Sequence, residues 1–428
     1  MTRFITPDRA LFVLLCFEGP DLYSQAGGLG IRMTELSRVL SEQGFINHFF
    51  FIGDCNLPGE EKNYGRKQVL HRWCQWVSGY HPEGVYEGEE GKRNEWDKSL
   101  PPYLVEHIIK PAACEGRPIV ILAEDWHTAR TVHILDALLR EQGLRDSCII
   151  LWNANNEFGF HHVDLRALDA ICTVTTVSSF MRRRLLPYGV DPLVLPNGIP
   201  GRIIGSVDPF RKHILRESFR GLLLQKTGRF DPNKRWMEAI HALAILKESG
   251  AMPHLVMRGG REPYRREVMG LVERLGLSHA VIRVCDPSYE HILNALRHHS
   301  QADIIEMDFY VPEEFLMLLY GTADTVLANS GYEPFGIVGL EVMAKGGIAI
   351  VGDTGEDYAR SFFNSFRVQN DDPAELVSFI LRVNLDRGLH NFMRNNALIT
   401  AREYVWENVL DKLIFMVEEI GTALGQLV

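Results

Sequence analysis

Leu11-Phe12-Val13-Leu14-Leu15-Cys16-Phe17, then Ala26-Gly27-Gly28-Leu29-Gly30, then Met33, Leu36, Val39 and Leu40, set the reading of the whole chain. The apolar run, bounded by Asp8-Arg9 and Glu18-Gly19-Pro20, reads as a buried strand. Apolar residues recurring three and four apart behind it read as one face of a helix. The glycines between them let backbone amides approach a ligand without a Cβ in the way, at the positive end of that helix. They also fit a plain structural turn. Strand, glycine turn and helix together open a crossover unit of a parallel sheet.

Working outward, the alternation continues. Residues 48–53, 119–123, 149–152, 171–174 and 193–195 read as further strands. The pattern restarts at 222–226 and runs through 255–257, 281–284, 325–328 and 348–351. Between the two series lies the turn cluster Pro196-Asn197-Gly198-Ile199-Pro200-Gly201. The expectation is an α/β chain of two Rossmann-like doubly wound domains, residues 1–200 and 201–403. Such sheets bind ligands at the carboxyl ends of their strands. Residues 54–99 lack the periodicity and are rich in Gly, Glu, Trp and Tyr, so they read as a long insertion over the first domain's rim.

Composition narrows the class. A chain of 428 residues is long for one core, and two domains are the natural division. Acidic side chains outnumber basic ones, 55 to 45, and no basic block exceeds Arg182-Arg183-Arg184, which argues against a nucleic-acid partner. Seven cysteines lie scattered without a C-x-x-C pair, as in a reducing cytoplasm. The first apolar run is too short for a membrane span. No dense ligand cluster calls for a metal, so neither metal nor cofactor is expected.

The sharpest chemical signal is Glu333-Pro334-Phe335-Gly336-Ile337-Val338-Gly339-Leu340-Glu341. Measured along a helix, the spacing puts two carboxylates roughly 10 Å apart on one side. That span suits one carboxylate on a sugar and the other on the ribose of a nucleotide sugar. It also fits a capping Glu followed by a solvated one. Gly228-Arg229-Phe230-Asp231-Pro232-Asn233-Lys234 brings two fixed cations to one turn, as a diphosphate leaving group needs. Ser178-Ser179 followed by Arg182 and Arg183 could form an anion pocket at a helix start. A solvated basic face fits the same residues.

These strings resemble the marks of retaining glycosyltransferases of family 4 and the related glycogen and starch synthases, enzymes with two facing Rossmann-like domains (the GT-B fold). The match covers most of the chain outside 54–99. It includes E-x7-E, G-R-x4-K and Glu124-Asp125-Trp126-His127-Thr128, with Thr176-Val177-Ser178 and Pro196-Asn197-Gly198 following in order. The resemblance implies catalytic roles for Glu333, Arg229, Lys234 and His127. It implies donor contacts from Gly28, Gly336, Ile337, Val338 and Glu341 and an acceptor contact from Gly27, to which the anion pocket read from the residues would add Arg182 and Arg183. It also implies that a last helix, about 404–428, packs back on the first domain. Three departures stand out. Ser24-Gln25-Ala26 lacks the Lys that glucan synthases carry before the glycines, Asn329-Ser330 replaces Pro-Ser, and Ile199-Pro200 replaces the Asp after P-N-G.

The expected activity is therefore hexosyl transfer, with retention, from a nucleotide sugar (UDP-glucose favoured) to a small sugar or sugar phosphate, similar to that of sucrose-phosphate synthases. Elongation of an α-glucan is the runner-up. A nucleotide-sugar epimerase or a non-catalytic relative would share the fold, and a glycan phosphorylase would need pyridoxal phosphate.

Overall fold

The computed structural model describes residues 4–426. They form two compact units: the chain leaves the first between Gly198 and Ile199 and returns to it between Val405 and Trp406.

The first unit is built on β1 (Leu11–Leu15), β2 (Ile46–Ile52), β3 (Glu60–Asn63), β4 (Gln68–Trp73), β5 (Ile119–Glu124), β6 (Cys148–Ala154), β7 (Thr173–Thr176) and β8 (Leu193–Val194). Their order is β3-β4-β2-β1-β5-β6-β7-β8, and every pair is parallel except β3 with β4. β1, β5 and β6 are buried along their whole length. A parallel strand covered by helices on both faces has no solvent side, so it reads as an unbroken apolar run. The helix Gly28–Glu42 sends Met33, Leu36, Val39 and Leu40 into the core. The helix Trp406–Ala423 adds Trp406, Val409, Leu413 and Val417 to the same core.

Residues 54–99 are not an insertion over the rim. They hold β3 and β4, and β4 pairs in parallel with β2 inside the sheet. Behind them the helix Glu89–Leu104 packs on the helix Trp126–Glu141. Their periodicity is hidden because β3, Glu-Glu-Lys-Asn, is a polar edge strand and β4 breaks its apolar pair Val69-Leu70 with the adjacent His71 and Arg72.

The second unit carries β9 (Leu222–Thr227), β10 (Pro253–Arg258), β11 (His279–Ile282), β12 (Ile304–Met307), β13 (Thr325–Ala328), β14 (Ala349–Val351) and β15 (Phe366–Arg367). The order is β11-β12-β10-β9-β13-β14-β15, with all pairs parallel. Trp236, Ile240 and Leu243 of the helix Trp236–Glu248 fill its core. β12 and β15 escape the sequence reading because Glu306 interrupts the apolar residues of the one and the other is only two residues long.

In each sheet the strand order reverses once, between β1 and β5 and between β9 and β13. These are the topological switch points where doubly wound sheets place their ligands. Among the described residues, no helix is long and apolar enough to cross a membrane.

Candidate active site

In the second unit the turn after β9 opens at Gly228, whose φ of 154° disfavours L side chains. Trp236 Nε1 donates to the Arg229 carbonyl (2.8 Å), and Asp231 accepts from the Asn233 amide (2.8 Å), so the turn is fixed at both ends. Arg229 stays exposed. Lys234 is half-buried and forms an ion pair with Glu333 from the loop after β13. Burial and the nearby Arg229 charge both lower the Lys234 pKa. The structure thus brings together Arg229, Lys234 and Glu333, three of the residues read from the sequence as catalytic.

The acidic loop is not helical at its start. The helix spans Ile337–Ala344, so Glu333 lies in the preceding loop and Glu341 is the fifth helical residue. The separation read along a helix therefore does not apply, because the first half of the motif, with Pro334 and Gly336, lies outside the helix. Gly336 is the N-cap, and a Cβ there would lie 2.4 Å from Glu356 Oε1. With no cap side chain of its own, the helix leaves the Ile337 and Val338 amides at its positive end.

A shell of residues that sequence reasoning missed braces this loop. The Glu333 amide donates to Thr354 Oγ1 (3.0 Å), and the Tyr358 hydroxyl donates to the Gly336 carbonyl. Glu356 is buried, and burial lifts its pKa to about 7. Burial, and then the charge of Glu313, lifts Glu341 to about 8. The turn residues Gly352-Asp353-Thr354-Gly355 after β14 were the signal available in the sequence.

In the first unit the glycine loop holds an anion supplied by the chain itself. Glu18 Oε2 accepts from the amides of Ala26 (3.3 Å), Gly27 (2.9 Å) and Gly30 (3.1 Å), while Oε1 accepts from the Tyr86 hydroxyl (2.6 Å). Glu18 is only 4% exposed. Gly30 is required here, since a Cβ would meet that carboxylate and the Gly19 carbonyl at 3.2 Å. Around Gly28 a Cβ would meet nothing within 4 Å, so that approach stays open.

His127 begins the helix after β5. Its ring stacks on Phe17 at 4.4 Å and lies 4.1 Å from Trp126, and its Nε2 is 2.6 Å from Glu89 Oε1. Burial lowers its pKa, opposed by Glu89. Asp125 just before it has a φ of 58°, a conformation that costs about 1–3 kcal/mol. Its carboxylate accepts from Asn155 N and Asn156 Nδ2, and Trp152 Nε1 donates to its carbonyl, so the strained residue is fixed by several bonds. Buried Arg32 pairs with Glu124 (3.2 Å) and donates to Asn197, which accounts for Asn in P-N-G. A Cβ on Gly198 would lie 2.5 Å from Trp406, which accounts for the Gly.

The basic stretch behaves otherwise than read. Ser178 Oγ accepts from the Met181 amide of its own helix, so it serves as an N-cap. Arg182 forks onto Asp191 at 2.6 and 2.9 Å on the exposed surface, and Arg184 onto Glu157 at 2.5 and 2.7 Å. Arg183 is exposed. With two of the three guanidinium forks engaged by acids, this helix holds no built anion pocket. The physical reason is local: Asp191 and Glu157 neutralise the charge.

Residues 222–399 match the family model "Glycosyl transferases group 1". An uncharacterized glycosyltransferase of Methanocaldococcus jannaschii is 33% identical over 108 residues, 24% of this chain and 28% of that protein. Soluble starch synthase 3 of Solanum tuberosum is 24% identical over 256 residues, 57% of this chain and 20% of that protein. The aligned stretches thus span less than a third of either relative. Sucrose-phosphate synthase from Thermosynechococcus elongatus superimposes with a TM-score of 0.70 at 18% identity, covering 97% of this chain and 100% of that one. Anabaena Alr3699/HepE, solved in complex with UDP-glucose, gives 0.60 at 14% identity, covering 96% and 99%. The match over β9 to β15 likens the second unit to the group 1 glycosyltransferases, and the fold shared along nearly the whole chain is that of two-domain GT-B enzymes.

Proposed function

We propose that the protein transfers a hexosyl group, with retention of anomeric configuration, from a nucleoside-diphosphate sugar to a small sugar or sugar phosphate. The observation that carries this reading is the meeting of Arg229, Lys234 and Glu333 at the β9/β13 switch point. Two cations there neutralise the charge that develops on a departing diphosphate, the role a metal plays elsewhere. Lys234, already paired with Glu333, is held in place before the ligand arrives, so little reorganisation is needed. Glu333 and the amides of Ile337 and Val338 take the sugar hydroxyls, and Glu341 takes the ribose. The family resemblance supports a catalytic role for His127, an acceptor contact from Gly27 and a donor contact from Gly28.

UDP-glucose is the favoured donor, supported by the fold shared with the Anabaena protein solved with that compound. The potato starch synthase match, which extends over more than half of this chain, favours α-glucan elongation as the second reading. Because Arg229 and Lys234 supply the positive charge, no metal is required. The test is a matrix of UDP-glucose and ADP-glucose against glucose, fructose, their 6-phosphates and a malto-oligosaccharide, with and without EDTA. Nucleotide release together with an acceptor heavier by one hexose, unchanged by EDTA, is expected. Nucleotide release without a glycosylated product, or activity lost to EDTA and restored by magnesium, would contradict the proposal.

A further inference from the structure

Beside the phosphate-side turn lies a buried cation that the mechanism above leaves unused. Lys226, the fifth residue of β9, is 2% exposed in a strand flanked by β10 and β13. Its Nζ donates to Asn329 Oδ1 (2.6 Å) and to the Leu327 carbonyl (3.2 Å), and it lies 5.1 Å from the centroid of the Trp236 ring. An ammonium offers three donors and no acceptor, so two oxygens and an aromatic face complete its shell. Asn329, 1% exposed, in turn donates from Nδ2 to the Arg235 carbonyl (3.4 Å). The Gly331 amide donates to the Asn233 carbonyl (2.7 Å), and Lys234 pairs with Glu333. Three links thus join the cationic turn to the acidic loop, and the innermost runs through Lys226 and Asn329. The proline usual at position 329 in the resembled family has no side-chain oxygen to receive this amine.

No carboxylate among the described residues pairs with Lys226. The charges acting on it are Lys234 and Arg235 from the turn, which repel it, and Glu238 from the helix behind, which attracts it. Burial first, and Lys234 next, lower its pKa to about 7. A buried amine set beside like charges gains when an anion binds next to those charges.

We propose that Lys226 is a positioning residue of the diphosphate site. Held by Asn329 and Leu327, it locks the two donor loops together and adds positive potential beside Lys234, and nucleoside-diphosphate binding is accompanied by proton uptake at this amine. The proposal rests on the nucleotide-sugar reading above. The sign follows from the charge. At acid pH the amine is already protonated in the free protein. Above neutrality the free amine is neutral, the incoming diphosphate draws a proton onto it, and affinity falls as pH rises.

The test is calorimetric titration of the full chain with UDP at about pH 6.5 and about pH 8, in buffers of differing ionisation enthalpy. Wild type should bind more weakly at the higher pH and take up protons there. Lys226→Met should bind at least about fivefold more weakly at the lower pH, lose most of the proton uptake, and show a flatter pH dependence. Asn329→Ala, with the lysine retained, should weaken binding less and keep the uptake. Lys226→Met with wild-type affinity and wild-type proton uptake overturns the proposal while leaving the nucleotide reading intact. If circular dichroism shows Lys226→Met unfolded, Asn329→Ala decides, and wild-type affinity in that variant overturns the proposal. Failure of wild type to bind UDP at either pH overturns the nucleotide reading and this inference together.

Discussion

The two switch points share an architecture and differ in charge. After β1 and β5, several groups that could receive a ligand are engaged by the chain's own acids. Glu18 takes three glycine-loop amides, and Glu89 takes His127 Nε2. After β9 and β13 the stock is cationic: Arg229 is exposed, Lys234 is held by Glu333, and Lys226 lies buried beside them. The glycine N-cap at 336 leaves helix amides without a side-chain cap of their own. A doubly wound sheet offers a helix N-terminus at either switch point, but the topology does not decide what binds there. A carboxylate already seated in the loop turns an anion site into a polar wall suited to hydroxyls, whereas paired cations keep it an anion site.

The contrast breaks most sharply if its cations are removed. Arg229→Ala and Lys234→Ala should each lower kcat with UDP-glucose by about a hundredfold, in line with about 2.7–4 kcal/mol for one preorganised transition-state donor. Turnover assays on folded variants check this, and wild-type kcat in both would take the turn out of the mechanism.

Next in size is the reverse experiment on the first unit. Glu18→Ala empties the glycine loop and leaves buried amides without an acceptor, a cost of about 1–3 kcal/mol in stability. The vacated loop should then bind inorganic phosphate, visible as a rise in melting temperature with phosphate that the wild type lacks. A variant that loses no stability and ignores phosphate would show that the loop amides are not an anion site.

A smaller effect concerns the buried acids that brace the second unit. Glu356 has a folded pKa of about 7, above the ordinary value of 4.5. Its contribution is therefore fully present below about pH 4.5 and is lost as pH rises through 7. Glu356→Gln, which cannot ionise, should match wild type near pH 5 and melt several degrees higher near pH 8. An equal difference at both pH values would contradict the assignment. The smallest expected effect is at the basic helix. Because Arg182 is already paired with Asp191, Arg182→Ala with Arg183→Ala should leave the KM for a 6-phosphate acceptor within about twofold of wild type. A larger rise would restore the anion pocket read there from the sequence.

How far the sequence carried this picture depends on the length and chemistry of each signal. Long buried strands such as Leu11–Leu15 and Ile119–Glu124 declare themselves, because two-sided burial demands continuous apolar residues. Glu60–Asn63 and Ile304–Met307 do not: one is a polar edge and the other carries Glu306 among its apolar residues. At the site, Arg229, Lys234 and Glu333 were legible because fixed charges at set spacing after a strand have few structural uses. Arg182 and Arg183 looked equally cationic, but Asp191, which neutralises Arg182, lies nine positions beyond it, where spacing says nothing about pairing. Glu18, Tyr86 and Glu89 were missed for the opposite reason. Each is ordinary alone, and only the fold brings it to the glycine loop or to His127.

On the proposed function, the turn after β9 recognises a diphosphate. The direct measurement compares affinities for UDP and uridine in wild type and in the Arg229→Ala, Lys234→Ala double variant. Wild type should prefer UDP by about a hundredfold or more, and the double variant should lose most of that preference while binding uridine as before. An undiminished preference for UDP in the folded double variant would contradict the claim.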